Sequence, residues 1–202
     1  MNEKFFTLPI DKQQQIINAA YKVFAMNSYK KAPMSEIADT AEISKSLLFH
    51  YFKNKKELYM YLWVNAMELT RKSVRLYETT QTTDLFEMLK RNLFAKCSLM
   101  REYPYIYQFS LQAYYETEPD IKESVQASFS EVSQTSEHLI FETMDTTSLR
   151  SDIDIGMMYQ EILYAVDGYM LNKYRSGTVN ADEIEKEFEV LIDFWKKVYT
   201  RN

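Results

Sequence analysis

Along residues 12–29 the apolar side chains recur at helical spacing: Ile16, Ala20, Val23 and Phe24 fall on one face. Pro9 suits the first turn of this helix. Asn27-Ser28 suits its end, with Asn or Ser in the left-handed position that glycine usually fills. Pro33 opens a short second helix, MSEIADTA, with Ile37 and Ala41 inward, and EIS forms a turn. Ser44 is a good N-cap for a third helix from Lys45 to Phe52. Leu48 and Phe52 stand at i and i+4 and point to the core. Lys45, Ser46, Phe49 and His50 then face outward, with Leu47 and Tyr51 at the flanks. Asn54 and Glu57 have capping-box spacing and start a fourth helix. Its first amides, with Lys55 and Lys56, make a site suited to phosphate. Residues 34–52 thus predict helix, tight turn, helix, an arrangement whose second helix can enter a DNA major groove. A corner of a helical bundle with a solvated basic edge has the same pattern.

The helical spacing continues to the end of the chain. The fourth helix is expected from Lys55 to about Glu78, TTQTTD is a polar break, and Asp84 is a plausible N-cap. Leu85, Leu89, Leu93 and Met100 mark the next helix, and Pro104 and Pro119 each restart the chain. TTSLRSD reads as a loop. Two last helices follow, separated by SGTVN, and Asn180 with Glu183 is a second capping box. The expected fold is all-α with about nine helices. It divides into a three-helix helix-turn-helix domain, residues 1–57, and a C-terminal helical bundle, residues 58–202.

Composition sharpens this picture. Three glycines and four prolines are too few for a turn-rich β architecture. The single cysteine, Cys97, rules out a disulfide within the chain, and His50 and His138 lie far apart without metal-ligand spacing. Neither a metal nor a cofactor is expected. No run of 18 apolar residues occurs and the first residues lack a signal-peptide layout, so the expected setting is cytoplasmic, with no membrane partner. The net charge of −5 argues against a nucleic-acid partner, but it is unevenly spread. Residues 1–57 hold 9 Lys+Arg against 6 Asp+Glu, and residues 58–202 hold 15 against 23, giving a basic head on an acidic body.

Ile16 to Leu58 resembles the DNA-binding domain of the TetR family of bacterial repressors. The shared features are an alanine-rich first helix closed by Phe24, Ile37-Ala38 in the second helix, and Ser44, Lys45, Leu48, Phe49, Tyr51, Phe52, Lys55 and Leu58 in the third helix and its junction. Ser28 and Glu42 stand where glycine is usual, Pro33 where a hydroxyl residue is common, and Ser46 at a small position next to DNA. The resemblance implies that Lys45 and Ser46, behind the cap Ser44, approach bases or adjacent backbone. Leu47 and Phe49 would touch apolar base surface. His50 and Tyr51 would bond phosphates or base edges, Lys55 a phosphate, and Ser35 would add a phosphate contact.

Two stripes near the end of the chain are candidates for self-association. One runs through Ile184, Phe188, Leu191, Trp195 and Val198, the other through Ile155, Met158, Ile162, Val166, Met170 and Tyr174. Gly168 lies mid-helix, where glycine costs about 1 kcal/mol against alanine, so a close helix approach is expected there. Two such helices from each subunit would build a four-helix homodimer interface, as in the resembled family. The stripes equally suit the chain's own core. Between residues 85 and 144 aromatic residues and methionines are frequent, a composition that lines pockets for flat or lipophilic ligands and also fills cores. The pocket candidates are Phe94, Met100, Tyr105, Phe109 and Phe129, with Cys97, Gln108, Gln112 and Asp167 as polar anchors.

The expected function is a ligand-responsive transcriptional repressor. It would bind a palindromic double-stranded DNA operator as a homodimer and be released by a small lipophilic or aromatic effector. A DNA-binding regulator controlled by a protein partner is the alternative. An enzyme using the aromatic cleft has less support, since no nucleophile–base pairing, glycine-rich phosphate loop or metal cluster is visible.

Overall fold

The computed structural model describes residues 3–177 and 179–201, with the backbone alone over 131–137 and at 139. Thr178, in the expected SGTVN break, lies outside the described residues. Among the described residues a 3-10 turn, Glu3–Phe5, precedes nine α-helices: α1 Ile10–Met26, α2 Met34–Thr40, α3 Lys45–Tyr51, α4 Lys55–Leu76, α5 Leu85–Glu102, α6 Ile106–Tyr114, α7 Pro119–Thr143, α8 Ile155–Ser176 and α9 Ala181–Tyr199. The all-α expectation holds: among the described residues no strand forms, and the extended pairing consists of one antiparallel bridge between Leu149 and Thr200.

Several helix ends follow the expected caps. Ser44 Oγ accepts from Leu47 N at 3.1 Å. Asn54 Oδ1 accepts from Glu57 N at 2.8 Å, while Glu57 Oε1 accepts from Lys53 N at 3.3 Å. Asp84 accepts from Phe86 N, and Asn180 from Asp182 N and Glu183 N. The end of α1 differs from expectation. Asn27 is extended at φ −134° and neither it nor Ser28 has a positive φ. The Asn27 side chain instead donates to Val23 O at 3.0 Å, so an amide satisfies the last turn without a left-handed residue.

The chain packs as two compact units, Met1–Lys72 with Leu99–His138 and Ser73–Ser98 with Leu139–Asn202. Aromatic packing helps to hold the first unit together. In the first unit Phe109 of α6 lies 5.2 Å from the Tyr21 ring and 5.0 Å from the Tyr59 ring, which ties α6 into the helical head. Buried Ile16, Ala20, Phe24, Ile37, Leu48, Phe52 and Leu62 complete this core. Polar contacts repeat the tie along α1 and the loop after it: Asn18 Nδ2 donates to Glu102 O, Gln108 Nε2 to Ala25 O, and Tyr29 N to Glu116 Oε2.

The second unit has its own core of Leu85, Phe86, Leu93, Cys97, Met158, Ile162, Ile184, Phe188, Ile192 and Trp195. Here the bridge between Leu149 and Thr200 joins the α7–α8 loop to the end of α9, with Arg150 N donating to Tyr199 O and Arg201 N to Ser148 O. Lys173 of α8 pairs with Glu187 of α9 at 2.6 Å.

Candidate nucleic-acid interface

The turn between α2 and α3 is built by backbone hydrogen bonds. Ile43 N donates to Ala38 O at 3.0 Å and Glu42 N to Asp39 O at 3.1 Å, the pair that closes a Schellman motif. Such a motif needs a left-handed residue just past the helix, and Glu42 takes that place at φ 53°. Gln15 Nε2 donates to Glu42 Oε2 at 3.4 Å. The turn is short and fixed, so α3 leaves it at a set angle to α2.

On α3 the inner face is closed. Leu48 and Phe52 are fully buried, as expected. Lys45, Ser46 and His50 are exposed, and Leu47 and Phe49 keep 37% and 38% of their surface despite being apolar. An isolated protein gains nothing from leaving two large apolar side chains beside a lysine and a histidine on one short helix, so this face suits a partner with both charged and apolar surface. A DNA major groove offers both, through phosphates and thymine methyls. Ser44 and Ser46 share a hydrogen bond at 3.0 Å, which places both hydroxyls at the start of this face. Ser35 is exposed at the start of α2.

Two expected contact residues sit differently. Tyr51 is buried at 7% exposure, its ring 5.8 Å from that of Phe5, so it belongs to the packing side of α3 rather than its flank. Lys55 does not simply project from the start of α4. Its ammonium donates to Lys30 O and Ala32 O, both at 3.0 Å, and lies over the Tyr29 ring. Carbonyls of the α1–α2 loop thus hold two of the three donors of an ammonium to which the resemblance assigns a phosphate.

The pocket candidates divide between the two units. Met100, Tyr105, Gln108, Phe109, Gln112 and Phe129 fall in the first unit and Phe94, Cys97 and Asp167 in the second. Phe109 and Cys97 are fully buried core residues, and Gln108 is engaged with Ala25 O. Phe129 stacks at a tilt on Tyr114, 4.7 Å between centroids, and Gln112 is exposed. Burial raises the pKa of the Asp167 carboxyl, and Lys96 opposes that shift.

The self-association residues also divide. Ile162, Phe188 and Trp195 are buried in the core of the second unit, with Val166, Met170 and Leu191 packed half-buried around it. Gly168 is exposed, and a Cβ there would meet nothing within 4 Å in the chain. It lies on a different face of α8, with Met157 at 70% and Tyr164 at 72% exposure. A shallow concavity on that face is lined by Met157, Gln160, Glu161, Tyr164 and Ala165. The corresponding face of α9 exposes Val190, Phe194 and Val198.

Comparison with known proteins agrees with the geometry of the head. Residues 16–62 match the model of the bacterial regulatory proteins of the tetR family. Residues 16–62 thus carry a DNA-binding domain of the tetR family. The chain is 31% identical over 125 residues to the HTH-type transcriptional activator FasR of Mycolicibacterium smegmatis, covering 61% of this chain and 57% of that protein. It is 38% identical over 56 residues to the fatty acid metabolism regulator protein of Bacillus subtilis, covering 28% of this chain and 29% of that one. The match thus spans little more than half of the first relative and under a third of the second. A TetR-family transcriptional regulator from Chloroflexus aurantiacus shares the fold over 100% of this chain and 99% of its own, at 23% identity and TM-score 0.68. The fatty acid degradation regulator FadR of Bacillus halodurans shares it at TM-score 0.63 and 18% identity, over 88% and 96%.

The segment that sequence reasoning passed over is Glu3–Phe5. Its signal was present as two adjacent aromatics, Phe5-Phe6, before the first helix, but no periodicity links them to α3. Among the described residues, no helix is long and apolar enough to cross a membrane.

Proposed function

We propose that this chain is a TetR-family regulator, a ligand-responsive transcriptional repressor that binds a palindromic double-stranded DNA operator as a homodimer. The observation that carries the reading is the outer face of α3, where Lys45, Ser46, Leu47, Phe49 and His50 are exposed together on a helix anchored by Leu48 and Phe52. Lys45 and Ser46 stand at its N-terminal end, where a recognition helix meets base edges. Ser35 and Ser44 supply hydroxyls for the backbone.

The proposed dimer forms through the exposed apolar faces of α8 and α9, with Met157, Tyr164 and Gly168 on one and Val190, Phe194 and Val198 on the other. Gly168 lets a partner helix come close. A two-fold dimer would set two recognition helices about 34 Å apart for successive major grooves.

The proposed effector is a small lipophilic or aromatic molecule, in keeping with the fatty acid regulators among the similar proteins. It acts by favouring a dimer whose recognition helices no longer match the half-site spacing. Control by a protein partner is the second reading, favoured by the engagement of Phe109 and Gln108 in packing. Thermal shift with fatty acids and acyl-CoA separates the two.

Fluorescence anisotropy with the promoter DNA beside its own gene tests the central reading. Binding should exceed that of a scrambled duplex and weaken steeply with salt. Equal affinity for both duplexes at every salt concentration would sink it.

A further inference from the structure

We propose that Phe5 is a positioning residue for the recognition helix: the turn Glu3–Phe5 sets an aromatic ring behind the C-terminal end of α3 and fixes the angle at which α3 presents its outer face. This rests on the reading of α3 as the helix that meets DNA. Phe5 is fully buried, with its ring centroid 5.0 Å from that of Phe52, 5.8 Å from Tyr51 and 5.7 Å from Tyr61. Tyr51 is the last residue of α3, Phe52 its C-cap, and Tyr61 belongs to α4. One ring from outside the family-matched residues 16–62 therefore wedges between the end of α3 and the body of α4.

The need for such a wedge follows from length. With 7 residues, α3 is far below the length at which a helix holds itself, so packing sets its orientation. Its N-terminal end is held by the Ser44 cap and the bond from Ile43 N to Ala38 O. Its C-terminal end has the aromatic cluster, in which Phe5 touches each of the other three rings. The segment that carries Phe5 is itself tied down. Gln13 Nε2 of α1 donates to Leu8 O at 2.9 Å and Phe6 O at 3.3 Å, and Thr7 Oγ1 donates to Lys4 O at 2.8 Å.

Loss of the ring would leave a gap behind Tyr51 and Phe52 and let α3 tilt. Base edges are read only within about 0.5 Å and 10–20° of the right geometry, whereas attraction to phosphates tolerates displacement. The loss therefore falls on the preference for the operator rather than on general affinity for DNA.

The test uses the full chain with Phe5→Ala, Phe5→Leu and, as a control, Phe6→Ala, whose side chain is 53% exposed. Affinity is measured for a duplex selected from random sequence by the wild-type chain and for a scrambled duplex, and amide exchange is followed by mass spectrometry. Phe5→Ala should weaken selected-duplex binding about tenfold, the size of a lost base contact, and scrambled-duplex binding by no more than about threefold. Exchange over residues 48–52 should speed up while α8 and α9 keep their protection. Phe5→Leu should lie clearly between Phe5→Ala and wild type in both readouts, and Phe6→Ala should match wild type. A Phe5→Ala chain with wild-type preference and wild-type exchange in α3 would overturn the proposal. If that variant melts, Phe5→Leu carries the same test: wild-type values overturn it, and a partial loss in both readouts upholds it. Exchange needs no DNA. A wild-type chain that prefers no sequence therefore defeats the DNA reading, while faster α3 exchange still upholds the packing role of Phe5.

Discussion

The ammonium of Lys55 lies 5.1 Å from the centre of the Tyr29 ring, a contact that ties the start of α4 to the loop between α1 and α2. The same group donates to Lys30 O and Ala32 O. Lys55→Ala should therefore lower stability, by about 1–2 kcal/mol for two partly exposed charge-assisted bonds and a cation–π contact. The melting temperature should fall by about 2–8 °C. Calorimetry checks this, and a melting point equal to wild type would return Lys55 to a purely phosphate-facing role.

Lys45 is the opposite case, an exposed residue at the start of α3. Lys45→Ala should leave the melting temperature within about 1 °C and weaken operator binding by about 1–3 kcal/mol. Leu48→Ala, at a fully buried site, is the contrast: it should destabilise the head by about 2–5 kcal/mol. Anisotropy and thermal melts on both variants separate contact from scaffold. Operator binding by Lys45→Ala at wild-type strength would remove α3 as the reading helix.

Glu42 holds a left-handed conformation at φ 53°, which costs an L side chain about 1 kcal/mol relative to glycine. Glu42→Gly should raise stability by roughly 0.5–1 kcal/mol, less whatever the weak bond from Gln15 contributes. Denaturant melts read the sign directly, and a lower midpoint would show that the Gln15 tether outweighs the strain.

Phe194 is 58% exposed on α9 and Val190 69%. If these residues meet a second copy, Phe194→Asp should weaken the dimer by about 2 kcal/mol or more, roughly thirtyfold in Kd, while the monomer stays folded. Trp195→Asp, at 4% exposure, should instead unfold the second unit. Sedimentation and circular dichroism on the pair check both. A Phe194→Asp chain that remains a tight dimer would move the interface elsewhere.

Burial pushes the Tyr103 hydroxyl up to about 12 and raises those of Tyr21 and Tyr59 further. Below pH 10 these groups are neutral in folded and unfolded chains alike. Above it, the unfolded chain gives up protons that the folded chain keeps, so stability should fall as pH rises from about 10 through 12. Ultraviolet tyrosine titration should show a buried set released only with loss of helicity. A single smooth titration with helicity intact would contradict the burial of these rings.

Local signals were legible where one residue's chemistry decides the outcome. Ser44, Asn54, Asp84 and Asn180 cap because a short polar side chain next to a helix start reaches the free amides whatever the tertiary fold. Leu48 and Phe52 follow from i, i+4 spacing. Where neighbours distant in sequence decide, the pattern misled. Spacing put Tyr51 on a flank, but Phe5 covers it. Composition suggested Asn27 or Ser28 as a left-handed residue, yet the Asn27 amide satisfied the helix end more cheaply. The stripe through Phe188 and Trp195 was the most apolar face of α9, and the chain's own core took it. Its exposed face, with Val190 and Phe194, is weaker as a pattern because Asp193 and Lys197 interrupt it.

The seating of Phe109 against Tyr21 and Tyr59 bears on any attempt to graft this head onto another regulator. A chimera cut after residue 57 would strip Asn18, Ala25 and Tyr29 of their partners Glu102, Gln108 and Glu116, and would take the Phe109 ring away from Phe24. The piece that packs as a unit is discontinuous, residues 1–72 with 99–138, and a recipient scaffold must accept both segments.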